Sequence, residues 1–583
     1  MRFSSRRAKA GQIFAVTGVN TISFALVVSP ETADGLLGFA VERVDPAGDE
    51  RFFVPGFKVF RSVIPEPDAS TQVSTFDHPV QSFAWDDFTA KPDRRYQFLF
   101  HPVKGRPKNL DRRPPLKITV RTEPLVSDLE HDVFFNRGVA SSQAYRRRFG
   151  TTPVDKLTPR EKRDGAIQWL SRDLDEAILR FVDSCAPGDR LLGCFYEFRW
   201  EPVARALKAA IDRGVDVRVI VDAKANQGDF PRKENLETVD RFRIPRDNLV
   251  LREARDDHIQ HNKFMVRVEG GQRPVEVWTG STNMSLGGIS GQTNVGHWVR
   301  NPGVAGRFAR YWDLLATDPG GRPGDPPPDV RKKNKAFRDA VEELSPVGEV
   351  ADVPPGVTAL FSPRRDTALL QSYARLLDSA HAVGCITLAF GVSPVFKDLL
   401  KDNTPLNALV FMLLEKKDKP DPKSQTAFVA VNASNNVYKA WGSFIKDPVY
   451  QWAAETNARA LGLNKHVSYV HSKFLLVDPL GADPIVVTGS ANFSNASTRE
   501  NDENMLVVRG DRRVADIYFT EFNRLFNHYY FRSVTEDRSR PGQRGRPSLF
   551  LAETDEWQQK YAPGTFRAKR LAAYAAMQGF SRG

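Results

Sequence analysis

His471-Ser472-Lys473, followed by Gly489-Ser490-Ala491-Asn492, has a near copy earlier in the chain. The earlier copy consists of His261-Asn262-Lys263 and Gly280-Ser281-Thr282-Asn283, and the distance from His to Gly is almost the same in both. Each His-x-Lys lies on a predicted strand, where alternation places the His and the Lys on one face. A repeated constellation in matching surroundings predicts a duplicated α/β unit.

The residue types in the two copies suit the hydrolysis of a phosphodiester. This reaction needs an in-line nucleophile, cations at the non-bridging oxygens and an acid at the leaving oxygen. His261 and His471 can be the nucleophile and the acid, while Lys263 and Lys473 can hold the oxygens. Since neither copy is sufficient, we expect one site between the two halves. Further hydrogen bonds to the oxygens are predicted from Asn283, Asn492, Ser281 and Ser490.

Paired His-x-Lys and Gly-Ser-x-Asn boxes resemble the signature of the phospholipase D superfamily, over residues 165 to 535. Asp478 stands at the family's Asp position, as a supporting residue, whereas the first copy has Val268 there. The run Asn501-Asp502-Glu503-Asn504 resembles the Glu-Asn pair of the family's small bacterial nucleases. The resemblance implies a covalent phosphohistidine intermediate and no required metal. The sequence shows no carboxylate-rich constellation for Mg²⁺ or Zn²⁺, and we expect no cofactor.

The two copies differ in the carboxylates that follow them. The second copy has Glu503, whereas the matching run of the first copy, Gly291-Gln292-Thr293-Asn294, has no carboxylate. A neighbouring carboxylate favours the imidazolium form of histidine. We therefore predict that His471, supported by Glu503, is the general acid. His261, oriented by a carbonyl or by Gln292, is then the nucleophile, which agrees with the usual assignment in the resembled family.

The chain has 583 residues, which is enough for three or four domains. The predicted fold is α/β, with two tandem phospholipase D-like α/β sandwich domains in a pseudo-two-fold arrangement behind an all-β sandwich. Short alternating strands in 1–125 resemble a fibronectin-III-like module. A basic, irregular connector at 130–165 leads to the first α/β domain, 165–317. A Pro/Gly-rich linker, 318–354, precedes the second, 355–535, and 536–583 is predicted as a basic tail with a docking helix.

Composition bounds the partners and the location. The formal net charge is +12, which favours an anionic partner. Three cysteines in apolar surroundings, Cys185, Cys194 and Cys385, predict buried thiols in a reducing compartment. No run of 18 apolar residues occurs, and the basic N-terminus is followed by too polar a segment for a signal peptide. We expect a cytoplasmic protein without a transmembrane segment that is a monomeric pseudo-dimer.

Three functions remain open on these residues. Charge and Arg-rich stretches favour a phosphodiesterase that acts on nucleic acid. A phospholipase D or phosphatidyltransferase acting on phospholipid head groups is the alternative, although no amphipathic membrane helix is evident. A non-catalytic protein that binds a phosphate polymer is the third. Tyr196, Phe198 and Trp200 end a strand near the expected cleft, where core packing is favoured over stacking on a base or an acyl chain.

Overall fold

The computed structural model describes residues 1–56, 58–67, 71–138, 143–225, 228–404, 406–420, 428–443, 467–538 and 550–580. Two seven-stranded mixed sheets, one in each half, follow a sheet-rich N-terminal region. Every helix among these residues is too short or too polar to cross a bilayer. The cysteines Cys185, Cys194 and Cys385 are free thiols in buried positions.

The N-terminal region contains two antiparallel sheets, with strand orders β1-β2-β3-β8 and β10-β9-β4-β5, the latter extended by β11 on β9. Ile13, Phe24, Phe39, Phe98 and Phe100 are buried together and form one core from both sheets. This region is therefore sheet-rich as predicted, and its likeness to a fibronectin-III-like module stays a prediction. The elements are β1 (Arg2–Ser4), β2 (Gly11–Thr17), β3 (Ile22–Val28), α1 (Pro30–Ala33), β4 (Gly38–Asp45), β5 (Glu50–Phe53), β6 (Pro55–Gly56), β7 (Val73–Ser74), β8 (Ala84–Asp87), β9 (Arg95–Arg106), β10 (Asn109–Arg112) and β11 (Leu116–Arg121).

The sheet of the first half has the order β12-β18-β17-β16-β13-β14-β15, in which β13, β14 and β15 are parallel. The prediction of an irregular connector at 130–165 is wrong, because β12 is a buried edge strand of this sheet and α3 follows it. The elements are β12 (His131–Phe135), α2 (Gln143–Phe149), α3 (Arg160–Ser171), α4 (Leu174–Asp183), β13 (Arg190–Phe195), α5 (Glu201–Asp212), β14 (Asp216–Asp222), α6 (Arg232–Arg241), β15 (Leu249–Arg252), β16 (Lys263–Glu269), β17 (Arg273–Gly280), β18 (Val295–Val299) and α7 (Pro302–Ala316).

The second half repeats this plan, with the strand order β19-β25-β24-β23-β20-β21-β22. Because the strand order is identical, the duplicated motifs occupy equivalent positions in the two halves. A helix, α8, occupies much of the predicted linker. The elements are α8 (Pro327–Leu344), β19 (Gly356–Ser362), α9 (Ala368–Asp378), β20 (Val383–Leu388), α10 (Pro394–Leu400), β21 (Leu409–Leu414), β22 (Val437–Trp441), β23 (Phe474–Val477), β24 (Ile485–Gly489), α11 (Asn495–Arg499), β25 (Glu503–Arg509), α12 (Arg512–Arg538) and α13 (Phe566–Ala575).

The C-terminal segment lies against the rest of the molecule. Helix α13 contacts β2 and β3 of the N-terminal region and β21 of the second half. Trp557 is buried in the N-terminal core and donates from Nε1 to the Leu36 carbonyl at 2.8 Å. The segment thus packs as the predicted docking helix would, while most of the predicted basic tail, 539–549, lies outside the described residues.

Candidate active site

The two motif histidines lie just before strands, on loops that meet between the halves. The ladders of the motif strands begin at Lys263 in β16 and at Phe474 in β23, so that neither His261 nor His471 is itself a strand residue. Their imidazole rings lie 6.5 Å apart between centroids, at an angle of 78°. Both side chains are about 5% exposed. The predicted composite site between the halves is therefore present in the geometry.

Reciprocal backbone pairing holds each histidine loop against the other half. Gln260 forms a bridge with Asp502, and the His261 N–H donates to the Asp502 carbonyl at 2.9 Å. In the same manner, Val470 pairs with Thr293, and the His471 N–H donates to the Thr293 carbonyl at 3.2 Å. The segment that follows the Gly-Ser-x-Asn box of each half thus pairs with the histidine loop of the other half. Each half therefore positions the histidine of the other half.

The hydrogen-bond partners of the imidazoles are exchanged relative to the prediction. Both carboxylate oxygens of Glu503 lie 3.0 Å from Nδ1 of His261, and Oδ1 of Asn294 lies 2.8 Å from Nδ1 of His471. The predicted support of His471 by Glu503, and of His261 by Gln292, is wrong. The reason is the reciprocal pairing, which carries each following run across to the opposite half. The Oε1 atom of Gln292 is buried without a hydrogen-bond partner among the described residues.

Burial and the partners together set the pKa values of the site. Desolvation lowers the pKa of His261 to about 4, although Glu503 opposes this shift. Desolvation and the neighbouring Lys473 and Lys263 hold the pKa of His471 well below its ordinary value. Burial raises the pKa of Glu503, but His261 and Lys263 outweigh it and lower that pKa. His261 is therefore the histidine whose charged form is supported by a carboxylate.

The two lysines converge on the same space. Nζ of Lys263 donates to the carbonyl of His261, and Nζ of Lys473 donates to the carbonyl of His471 at 2.6 Å. Burial lowers the pKa of Lys263 to about 8, and burial together with Lys263 lowers that of Lys473 well below its usual value. Concentrated positive charge with one carboxylate suits an anionic group bound between the halves.

The Gly-Ser-x-Asn boxes form tight turns after β17 and β24. A Cβ on Gly280 would lie 2.2 Å from the Val295 carbonyl oxygen, and one on Gly489 would lie 2.2 Å from the Asn504 carbonyl oxygen, so only glycine permits the close approach. Asn283 and Asn492 follow these turns and are 5% and 8% exposed. In both, Oδ1 is buried without a hydrogen-bond partner among the described residues. Their role in holding oxygens stays a prediction.

The hydroxyls of the two serines form hydrogen bonds within the protein. The Ser281 hydroxyl donates to Oδ1 of Asn294 at 2.8 Å and accepts from the Val295 N–H at 3.0 Å. The Ser490 hydroxyl accepts from the Asn504 N–H at 3.0 Å and helps to lower the pKa of Glu503. These hydroxyls hold groups that orient the histidines, and the binding of substrate oxygens by Ser281 and Ser490 stays a prediction.

Asp478 stabilises the fold at the end of β23 that is remote from the motif histidine His471. Its Oδ1 accepts from the N–H groups of Ala382 and Val383 at 2.7 and 3.0 Å, where β20 begins. Its Oδ2 accepts from the His381 N–H at 2.8 Å. The predicted support of the reacting groups by Asp478 is wrong, since β23 carries this residue to the opposite end of the strand from His471.

Sequence reasoning missed two carboxylates that hold the histidine loops. Glu415, which follows β21, accepts from the N–H groups of Tyr469 and Val470, both at 2.9 Å. Asp222, the last residue of β14, accepts from the Gln260 N–H at 2.7 Å. Both carboxylates are 1–2% exposed. A buried acidic residue at the carboxyl end of equivalent strands in both halves was the available signal.

The aromatic residues near the cleft have separate environments. The ring centroid of Tyr196 lies 5.2 Å from that of His261, and Nζ of Lys263 lies 5.4 Å from the Tyr196 ring. Phe198 and Trp200 belong to the core of the first half, as the packing interpretation predicted. In the part of the chain that the structure describes, no group of three or more His, Cys, Asp or Glu side chains could hold a metal ion.

Comparison with known proteins places both halves in one family. Residues 178–315 and 385–526 each match the family model described as "Cardiolipin synthase, PLD-like domain". The chain therefore carries two PLD-like domains, one in each half. The predicted family resemblance is confirmed. A search of curated proteins gives no match.

Three solved structures are similar to this chain at low identity. Polyphosphate kinase from Porphyromonas gingivalis is 13% identical over 58% of this chain, which spans 46% of that protein, with a TM-score of 0.35. Phosphatidylserine synthase from Haemophilus influenzae is 13% identical over 69% of this chain and 93% of that one, with a TM-score of 0.42. The phospholipase D family member Nuc from Salmonella typhimurium is 26% identical over 24% of this chain and 83% of that one, with a TM-score of 0.20.

Proposed function

We propose that this protein is a phosphodiesterase that works through a phosphohistidine at His261, with His471 as the general acid. The observation that carries the proposal is the pair of imidazole rings, 6.5 Å apart between centroids, each held at Nδ1 by a group from the other half. A partner at Nδ1 fixes the tautomer and leaves Nε2 for chemistry. The chemistry needs no cofactor, and its independence of metal ions is part of the proposal.

The reaction has two balanced steps. Nε2 of His261 forms a bond to phosphorus while the bond to the leaving oxygen breaks, and that oxygen takes the proton from His471. Water then attacks phosphorus, His471 takes back a proton, and the bond from phosphorus to His261 breaks. Lys263 and Lys473 balance the charge of the non-bridging oxygens, to which Asn283 and Asn492 donate from their amides.

The exchanged partners support the same roles for a different reason. Glu503 raises the pKa of His261 against the effect of burial, which makes this ring the better base and nucleophile of the two. Phosphorylation at Nε2 leaves a positively charged ring, and the carboxylate of Glu503 balances that charge. Asn294 gives His471 no such charge, so in our proposal the anionic phosphodiester raises the pKa of His471 enough for it to hold the proton that the leaving oxygen then takes.

We propose nucleic acid as the substrate. The net charge of +12 supports an anionic polymer, and a groove beside Asn492 includes exposed Lys416 and Lys419. Transfer of phospholipid head groups is the second candidate, favoured by the description of the matching family model as cardiolipin synthase. Both motif sets lie in one chain, so the proposed functional unit is a monomer. A cytoplasmic location stays a prediction.

Incubation with possible substrates in EDTA tests the proposal. Single-stranded DNA, double-stranded DNA, RNA and phosphatidylcholine vesicles are offered to the wild type and to His261→Ala and His471→Ala. The matched control is His258→Ala, because His258 lies three residues before His261 and is half-buried outside the site. We expect nucleic acid to be cleaved by the wild type and the control, and at least about 10³-fold more slowly by the other variants. Turnover of vesicles alone would favour the second candidate.

A further inference from the structure

The two halves differ at one position that borders the reacting histidines. In the first half, Phe195 pairs with Lys263, so that Tyr196 follows the pairing and packs against His261. The register of the second half pairs Ile386 with Leu475, and its continuation places Leu388 opposite Lys473. Ala389 is therefore the counterpart of Tyr196. The second half therefore has a methyl group at the position where the first half has a phenol ring, and Ala389 is 2% exposed.

The next residue in each half widens this difference. In the first half Glu197 pairs with Arg199 at 3.0 Å, and its side chain is 11% exposed. Its counterpart is Phe390, which is 62% exposed. A groove of about 1140 Å³ opens from this side, and Ala389, Phe390 and Asn492 line it. The groove therefore borders Asn492, in the Gly-Ser-x-Asn box of the half that carries the proposed general acid.

The charges of the groove favour an anionic chain. Three carboxylates line the groove, and each has partners. Asp418 is paired with Lys397 at 2.7 Å and with Lys439 at 2.9 Å, Asp398 is paired with Lys401 at 3.5 Å, and Glu415 accepts from backbone N–H groups. Lys416 and Lys419 are exposed and have no ion pair with a carboxylate in the described part of the chain. Two uncompensated cations beside an exposed aromatic ring form the combination that binds single-stranded nucleic acid, by backbone charge and base stacking.

We propose that this groove is a subsite for the leaving-group strand of a single-stranded nucleic acid. One base stacks on Phe390, and backbone phosphates lie at Lys416 and Lys419. The orientation follows from in-line displacement, because the leaving oxygen must face His471 when His261 attacks from the opposite side. An acyl chain would instead require a groove without charged groups. The inference rests on the proposed function and adds polarity and strand type to it.

Two chimeric oligonucleotides test the polarity of the subsite. Each has one phosphodiester among uncharged methylphosphonate linkages. The first carries eight nucleotides on the leaving-group side and one on the phosphoryl side, and the second has the reverse arrangement. We expect the wild type to prefer the first. Phe390→Ala should lower kcat/KM for the first relative to the second on the order of 10-fold, which is the usual effect of losing one stacked base. The control is Leu406→Ala, which removes a 97% exposed side chain elsewhere.

Salt dependence tests the two lysines. For an all-phosphate single strand, Lys416→Ala together with Lys419→Ala should reduce the slope of log K against log salt by about 1.4, since each lost phosphate contact on a single strand contributes about 0.7. The control removes two exposed lysines on α8, Lys332 and Lys335, and should leave the slope unchanged. An unchanged slope in the groove variant would overturn the phosphate contacts.

The outcomes separate this inference from the proposed function. If the wild type cleaves oligonucleotides but shows no preference between the chimeras, or if Phe390→Ala affects both equally, the subsite is overturned while the phosphodiesterase proposal stands. If Phe390→Ala acts mainly on the second chimera, the polarity is overturned. If the wild type cleaves neither oligonucleotide and the Phe390 variant loses turnover of phosphatidylcholine vesicles, both the nucleic-acid proposal and the subsite fail.

Discussion

Replacement of Glu503 by glutamine should slow the attack on phosphorus without unfolding the site. In the wild type, Nδ1 of His261 lies 3.0 Å from the Glu503 carboxylate. Glutamine keeps an oxygen that can accept a hydrogen bond from this Nδ1, but it removes the negative charge. Attack converts His261 into a positively charged phosphoimidazolium. Two unit charges about 4 Å apart interact by about 4 kcal/mol at an effective dielectric constant of about 20. This energy corresponds to about 10³-fold in rate.

The burst of p-nitrophenolate from bis(p-nitrophenyl) phosphate measures this step, because its leaving group needs little protonation. Glu503→Gln should reduce the burst rate by about 10³-fold. The matched control is Glu500→Gln, which removes a charge three residues away, outside the imidazole contacts. A urea unfolding curve checks that both variants remain folded. A decrease below about 10-fold in a folded Glu503→Gln protein would refute the role of the carboxylate charge.

Three further predictions follow from the same contacts. Asn294→Ala removes the hydrogen-bond partner of His471. It should lower the rate of cleavage about 10²-fold for substrates with alkoxide leaving groups, but much less for p-nitrophenyl esters, which need little protonation. An equal loss of rate on both substrates in steady-state assays would contradict this prediction. Bound tungstate, an anion, should raise the depressed pKa values of His261 and His471, so that the protein takes up protons when tungstate binds at about pH 7. Calorimetry in two buffers with different ionisation enthalpies measures this uptake, and a release of protons would contradict the prediction. Glu415→Gln weakens the hydrogen bonds that hold the loop before His471, and it should lower the free energy of unfolding by about 1–3 kcal/mol. Amide hydrogen exchange at residues 468–470 should become faster, and unchanged exchange would contradict the prediction.

The duplicated fold could be predicted from the sequence because local patterns carry it. β-branched runs such as 215–223 and the amphipathic helix at 200–213 correspond to β14 and α5. The strand β12 could not be predicted, since it begins with His131 and Asp132. Their partners are remote in sequence. Nδ1 of His131 lies 2.9 Å from Nε2 of His297, and the Asp132 carboxylate lies 2.8 Å from the Arg300 guanidinium. Polar residues are buried when they have hydrogen-bonding or ionic partners. The hydrophobic periodicity of the sequence does not show such partners, so it could not predict this strand.

The residues of the candidate site could be named from the sequence, but their pairing could not. His261, His471 and Glu503 all lie at the junction of the halves. Proximity in sequence suggested that Glu503 belongs to the nearer histidine. In the structure Glu503 contacts the more distant histidine, because Asp502, the residue before β25, pairs with the loop before β16 across the junction. Sequence distance within one half therefore says little about contact in a duplicated fold whose halves exchange partners.

The central claim is that a phosphoryl group is carried by His261, and mass spectrometry of a trapped intermediate tests it most directly. The wild type is mixed with a bis(p-nitrophenyl) phosphate excess, quenched in alkaline detergent after one turnover, digested and mapped, with His258→Ala as the control. We predict a phosphorylated peptide at His261 in both proteins, and none in His261→Ala. Phosphorylation at His471 instead, or turnover by His261→Ala at the wild-type rate, would contradict the account.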